Sequence, residues 1–435
     1  MNHAHKPRVH WVSPLPKAQT DIAHYTRRIL PELAEATDLT LWTDAPDWDR
    51  ELYDFAPVRR LDPDRVTPRD FAMAGRADGR PGQRPEVVFV NIGNAWPFHS
   101  GFMRMIQRIP SIVILHDMAI QEFCFDAMER DKFPRDVYEV NMLRWHGEAG
   151  LAAARDVFEE RRTRGDLTEE IPGFELALTQ AVSVLTHTPV ARDAVAATDT
   201  VPAYLLDLPF RPSAQPPEVI RSGIGPLRLV QFGYTGPNRR LQKVLEALAP
   251  LRGEVDFQLD VMGSLWDAGY IRQRIQELGL THHVTLHGFV EEAELDARLA
   301  AAHLVFNLRY PSMGEASGSQ MRIWNAAAAS VVTNLGWYAD LPEDTVFRIE
   351  QEDEIPALQA LIRRLAADPA AGRRVGLAGR ARLEARHTPA RYAAAVAEIV
   401  EKFSHDAAAS VRRPRLKTAH DKTPGKDDSP VARTL

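Results

Sequence analysis

The sequence predicts two doubly wound α/β domains with parallel sheets, joined by a short linker. Three observations carry this. The chain of 435 residues exceeds the roughly 250 to 300 at which a single core stops growing. Short apolar runs alternate with helical patterns in both halves, which is the signature of βαβ units. Between the halves, "RPSAQPPEVIRSGIGP", Arg211 to Pro226, is rich in Pro, Ser and Gly without periodicity, so the boundary falls there.

In the first domain, 1–215, the strand-like runs are "RVHWVSPL", "DLTLWTD", "EVVFVNIGN" and "SIVILHD". From about 118 to 179 the pattern turns into a charged helical excursion, after which "AVSVLTHT" and "PAYLLDLPF" return to strand character. The second domain, 226–388, restarts the alternation with "LRLVQFGYTGPNRRLQKVLEALAPL" and continues through "DFQLDVMGS", "HVTLHGFV", "HLVFNLRYP", "SVVTNLGW" and "VFRIE". A helix over 389–404 closes this second domain. Residues 405–435 read as a mobile tail of mixed charge. Its basic first half leaves a contact with anionic lipid or protein open.

Composition narrows the class. With 26% charged residues, 45% hydrophobic residues and a net charge of -6, the chain has no global basic field for nucleic acid. The single cysteine, Cys124, excludes an internal disulfide or a thiolate metal cluster and suits a reducing compartment. In "QEFCFDAM" it reads as a core residue. The N-terminal "MNHAHKPRVHWVSPL" lacks a signal-peptide apolar stretch, and no segment approaches roughly 18 apolar residues. A cytoplasmic protein is expected.

Ligands of open α/β sheets bind at the carboxyl ends of strands, so the informative residues follow the apolar runs. "LVQFGYTGPNRR" places Gly233, then Arg239 and Arg240, at a strand–turn–helix junction suited to phosphate. Arginines at helix starts are also ordinary surface residues. In "RYPSMGEASGSQMRIWNAAAAS", Glu315 precedes Ser317, Gly318, Ser319 and Gln320, with a helix from about Gln320. Glu315 either caps that helix or holds sugar hydroxyls beside amide-bound phosphate. "SIVILHD" delivers His116 and Asp117, and "NIGNAWPFH" delivers Asn94 and His99; a structural role for each histidine stays open. "DPD" at Asp62 to Asp64 reads as a turn. No H-E-x-x-H, G-x-S-x-G, dinucleotide fingerprint or Walker loop occurs, which counts against zinc and serine hydrolases, hydride transfer and ATP hydrolysis.

With these residues assembled, the chain resembles the retaining glycosyltransferases of family 4 (group 1 glycosyltransferases), which have the two-domain GT-B fold with a cleft between Rossmann-like domains. The resemblance runs to about Phe403 and is most specific at "LRYPSMGEASGS…NLGWYADLP"; "FGYTGPNRRLQKVLEAL", "VSPLP…DIAHYTRRILPEL", "GNAWPFHSGFM" and "VILHDMAIQEF" follow it in order. It implies that Glu315 contacts the donor sugar, that Arg239, helped by Arg240, meets the diphosphate, and that His116 is the active-site histidine with Asp117 after it. Catalytic roles thus fall on His116, Glu315 and Arg239. Donor binding falls on Gly233, Arg239, Arg240, Glu315, Ser317, Gly318 and Ser319, and the acceptor side on Asp117, Asn94 and His99. The chain departs from the family pattern at three places. Ile323 stands where a second Glu usually holds the ribose, Tyr234 stands where a second cation usually meets the diphosphate, and "SPLPKAQTDIAHY" has no glycine.

The resemblance further implies a nucleotide-diphosphate-sugar donor as substrate, no cofactor, no metal, and a glycan or lipid-linked acceptor in bacterial polysaccharide or glycoconjugate assembly. Peripheral contact with the inner membrane, common among such enzymes, stays open. Two alternatives remain: a non-catalytic sugar-nucleotide or protein-binding relative, and a sugar-nucleotide epimerase of the same fold.

Overall fold

The computed structural model describes residues 6–74, 86–214 and 225–409. The first domain runs β1 (Arg8–Val12), α1 (Asp21–Ala36), β2 (Asp38–Thr43), β3 (Val58–Arg60), α2 (Pro68–Ala74), β4 (Glu86–Ile92), α3 (Trp96–Ile106), β5 (Ser111–Leu115), α4 (Gln121–Glu129), α5 (Arg135–Phe158), α6 (Arg164–Glu170), β6 (Ala181–Thr186), α7 (Pro189–Ala197) and β7 (Ala203–Leu205). The second runs β8 (Leu227–Phe232), α8 (Leu241–Leu248), β9 (Phe257–Met262), α9 (Ala268–Glu277), β10 (Val284–Gly288), α10 (Glu292–Ala301), β11 (Leu304–Phe306), α11 (Gly318–Asn325), β12 (Ser330–Thr333), β13 (Phe347–Ile349), α12 (Glu354–Ala367) and α13 (Pro369–Arg386). The chain then enters α14 (Pro389–Ala409).

The strands form two sheets, β3-β2-β1-β4-β5-β6-β7 and β10-β9-β8-β11-β12-β13, and every named pairing is parallel. In each, strand order reverses at one place, between β1 and β4 and between β8 and β11. Crevices open at the carboxyl ends of strands at such reversals. These are two Rossmann-like sheets, as the apolar alternation predicts. The charged excursion is helical as read, in α4, α5 and α6.

Strand periodicity divides the first core. Trp11, Phe89, Ile112 and Ile114 pack on one face, while Val12, Val90, Val113 and Leu115 pack on the other with the helical excursion. Cys124 lies in that second layer as a buried free thiol. Asp62 accepts the Asp64 amide at 3.0 Å, and Asp64 holds the Arg104 guanidinium, so "DPD" is a turn.

Two elements went unread and two expectations need correction. β3 and α2 were not visible in the sequence, because "VRR" and "PRDFAMA" are too short for either periodicity to register. The last helix does not close the second domain. Tyr392, Ala393, Val396, Ile399 and Val400 recur at helical spacing and pack on Val9, Trp11, Tyr25 and Ile29 of the first. Periodicity reveals an apolar face but not the partner that covers it. That face is worth covering, since each large aliphatic side chain gains about 1.5 to 3 kcal/mol on burial. Finally, α14 extends to Ala409, past the expected start of the tail at 405; the rest of that tail lies outside the described residues.

The two connections between domains lie side by side. Phe210 N donates to His387 O at 2.6 Å, His387 Nδ1 meets Leu208 O at 2.9 Å, and Arg386 Nε donates to Asp207 at 2.9 Å.

Candidate active site

In the second domain, β8 ends in a turn at Gly233, whose φ of 92° suits glycine. A Cβ on Gly263, after β9, would lie 2.3 Å from the Gly233 carbonyl oxygen, so the two strand-end turns meet backbone to backbone. Arg239 leaves this turn and its Nη1 donates to Asn307 Oδ1 at 3.0 Å, with Nη2 3.4 Å from Ser319 Oγ. Burial pulls its pKa down to about 10. Its neighbour Arg240 adopts φ 60° and turns away. Three contacts of 2.7 to 3.2 Å join it to the buried Glu354 of α12, so it serves packing within the domain.

The loop after β11 carries Glu315. Its Oε2 accepts the Met313 amide at 2.8 Å and its Oε1 lies 3.4 Å from Arg309 Nη1. Glu315 does not cap α11: Ser317 Oγ accepts Gln320 N at 3.1 Å. The helix therefore starts at Gly318, two residues earlier than expected, and the Gln320 amide is already used. Gly318 and Ser319 occupy the first turn, where amides have no intrahelical acceptor. Arg309 has a buried Nε without a partner. Burial lowers its pKa, but Tyr338 and Glu315 outweigh this and leave it raised. Ile323 is fully buried against Val230, Phe232, Met262 and Leu299. The position where the resemblance implied a second carboxylate is thus core here.

The first domain contributes the ends of β4 and β5. Asn91 Nδ2 donates to Val12 O at 3.0 Å, which fixes the amide so that Oδ1 faces His116 Nε2 at 2.9 Å. Nε2 therefore carries the proton, and Nδ1 keeps its lone pair. Burial, with His187 and His99 nearby, drives the His116 pKa well below its ordinary value, so the ring is neutral. Its faces are taken by Tyr25, edge-on at 4.7 Å, and by His187 at 5.2 Å between centroids. Asp117 Oδ2 accepts the Asn94 amide at 2.8 Å, and Asn94 Oδ1 accepts the Phe123 amide at 3.0 Å. Burial, then the charge of Glu315, raises the Asp117 pKa to about 7. His99 is wholly buried, with Nδ1 3.1 Å from Asn91 O and Nε2 unpartnered. Burial lowers its pKa to about 4.

The two halves touch at the Glu315 loop. Met118 N and Ala119 N both donate to Met313 O at 3.0 Å, and Thr188 Oγ1 donates to Gly314 O at 2.9 Å. The structure therefore brings His116, Asp117, Arg239, Glu315 and Ser319 to one interdomain seam. Arg240 is left outside it, His99 lies beneath it, and Asn94 acts on it only through backbone contacts. Sequence reading passed over Asn91, Asn307, Arg309 and Thr188. Asn91 and Asn307 did carry a signal, as polar residues within or just after apolar strand runs. A cavity of about 160 Å³ lies beside the Gly233–Gly263 contact, lined by Gly263, Ser264, Leu265, Arg272 and Phe289. A larger open hollow of about 620 Å³ at Tyr53–Arg59 holds none of the site residues. Among the described residues, no group of three His, Cys, Asp or Glu is arranged to hold a metal, and no helix is long and apolar enough to cross a membrane.

Two facing parallel sheets with a seam of this kind define the GT-B architecture, and comparison with known proteins agrees. Residues 239–398 match the family model described as glycosyl transferase-like. Sucrose-phosphate synthase (tll1590) from Thermosynechococcus elongatus is similar at 18% identity over 93% of this chain and 100% of its own, with a TM-score of 0.57. Anabaena Alr3699/HepE in complex with UDP and glucose is similar at 12% identity over 92% and 100%, with a TM-score of 0.55. WaaG, a glycosyltransferase involved in lipopolysaccharide biosynthesis, is similar at 14% identity over 90% and 99%, with a TM-score of 0.52. No curated protein matches the chain by sequence.

Proposed function

We propose that the chain is a retaining glycosyltransferase of family 4. It moves a hexose-type sugar from a nucleotide-diphosphate sugar to a glycan or lipid-linked acceptor in bacterial polysaccharide or glycoconjugate assembly. The observation that carries this reading is the Arg239 guanidinium, desolvated beside Ser319 at the first turn of α11, with Glu315 on the loop leading into that turn. Arg239, the buried Arg309 and the Gly318 and Ser319 amides face the departing diphosphate, so its negative charge is met by the protein without a metal or cofactor. Arg309 then supplies the second cation that Tyr234 does not.

In the reaction the C1–O bond to the diphosphate breaks and its electron pair stays on the phosphate oxygen. The acceptor hydroxyl bonds C1 on the same face, and its proton passes to the leaving phosphate. Glu315 accepts hydrogen bonds from sugar hydroxyls, and the bare Nδ1 of neutral His116 accepts one more. Asp117, Asn94 and His99 shape the acceptor side. This reading keeps the enzyme in the cytoplasm and leaves peripheral contact with the inner membrane open.

A non-catalytic relative is the second reading, favoured by Ile323 in the core and Arg240 committed to Glu354. The test is a panel of nucleotide-diphosphate sugars and free nucleotides scored by thermal shift, followed by nucleoside diphosphate release from any hit. A shift with slow release supports the transferase. A shift without release moves the binding protein to the front, and an altered sugar without any acceptor points to an epimerase.

A further inference from the structure

The carboxylate that the proposed reaction needs is not held by its own domain alone. Glu315 Oε2 rests on the Met313 amide, and the peptides around that amide are fixed from across the seam. Met313 O takes two amides of the first domain, from Met118 and Ala119. Gly314 O takes the hydroxyl of Thr188 at 2.9 Å. Gly314 has φ 74°, and a Cβ there would come within 2.7 Å of Met118 Cβ, so the loop passes in close backbone contact with the first domain. Thr188 is itself buried, 1% exposed, and its Oγ1 also accepts the Ala191 amide at 3.3 Å as the cap of α7. A hydroxyl has one proton to give and two lone pairs to offer. With the Ala191 amide on a lone pair, the proton is committed to Gly314 O.

We propose that Thr188 is a positioning residue: from the first domain it holds the Gly314 carbonyl of the second, so that Glu315 is set for the donor sugar only while the domains are in contact. This rests on the transferase reading for its consequence, but not for its geometry. A donor bound to an opened molecule would meet a Glu315 loop missing three of its hydrogen bonds. Transfer to water would then be suppressed until the first domain, with its acceptor side, is in place.

The test uses the full chain with Thr188→Val, which removes the hydroxyl at similar size, and Thr188→Ser, which keeps it. Amide hydrogen exchange separates the two roles of the side chain. Loss of the cap alone raises exchange in 189–197, whereas loss of the strap raises it in 313–316. Thr188→Val is expected to raise exchange in both segments and lower kcat about 5- to 10-fold, the range of one lost hydrogen bond. KM for the donor should stay near the wild-type value, and Thr188→Ser should restore exchange and kcat. Unchanged exchange at 313–316 in Thr188→Val overturns the proposal whether or not the protein turns over. Raised exchange with unchanged kcat overturns the positioning role. A wild-type protein without transferase activity sinks the transferase reading, while the exchange comparison still decides the strap.

Discussion

The two edges of the seam are built from opposite electrostatic material. On the second-domain side stand two guanidiniums and a carboxylate: Arg239 beside Asn307 and Ser319, and Glu315 between Arg309 and the Met313 amide. On the first-domain side, burial strips charge: His116, His99 and His187 are pushed toward neutrality, and Asp117 is pushed up to about 7. The difference follows from what each edge is made of. The charged side is a loop and a helix start, where amides and side chains solvate ions. The neutral side is a cluster of rings under sheet ends, with little to solvate them. A charged edge suits a diphosphate, and a neutral edge suits hydroxyl groups.

The strongest way to break this contrast is to remove the charge proposed to meet the diphosphate. Arg239→Ala is expected to lower turnover about 10²- to 10³-fold, as for loss of one preorganised donor, and to weaken the thermal shift given by nucleoside diphosphates. Retained shift and retained turnover would falsify the assignment of that edge. Arg240→Ala sharpens the same point from one residue away. It strands the buried Glu354, so unfolding in urea should show about 3 kcal/mol of lost stability, with donor affinity unchanged in the folded fraction. Next comes Glu315→Gln, which keeps the shape and removes the charge. Turnover should drop about 10²-fold with only a small change in melting temperature; parallel losses of stability and activity would make the carboxylate a fold element.

The neutral edge makes a smaller prediction, in pH. Asp117 holds its proton in the native state up to about 7, while the ordinary value for the unfolded chain is 3.8. Folding therefore binds a proton between those values, and the stability this group contributes falls as pH rises through that window. Asp117→Asn, whose Oδ1 can still accept the Asn94 amide, should melt higher than wild type by a few degrees at about pH 8, and the advantage should shrink toward about pH 4. The histidines oppose this: those at about 4, His99 and His187, cost stability as pH falls from their ordinary 6.5, equally in both proteins. A melting difference independent of pH would mean that Asp117 titrates like an exposed carboxylate.

Much of the charged edge could be read from the sequence, because a strand, a turn and a helix start leave a local trace. Glu315, Arg239 and Ser317 to Ser319 were singled out that way. Burial and partnership were not legible. Nothing in "NRR" distinguishes the arginine beside Ser319 from the one spent on Glu354, since the αL turn at Arg240 separates them. The cap of α11 was misread because only Glu315 was weighed for it, with the helix start set two residues late, so that Ser317 fell outside the cap position. The neutral edge was harder still. His116 stood out at a strand end, but its tautomer depends on Asn91, twenty-five residues away. Thr188 meets Gly314 across 126 residues, a distance no local pattern spans.

The placement of α14 fixes an order of events at the ribosome. The face of the first sheet formed by Val9, Trp11, Phe89 and Ile114 lies partly under Val396, Ile399 and Val400, which are made after the entire second domain. At about 5 to 20 residues per second, the roughly 160 residues between the linker and that helix take about 8 to 32 s to emerge. For that interval the nascent first domain lacks the part of its apolar cover that Val396, Ile399 and Val400 supply.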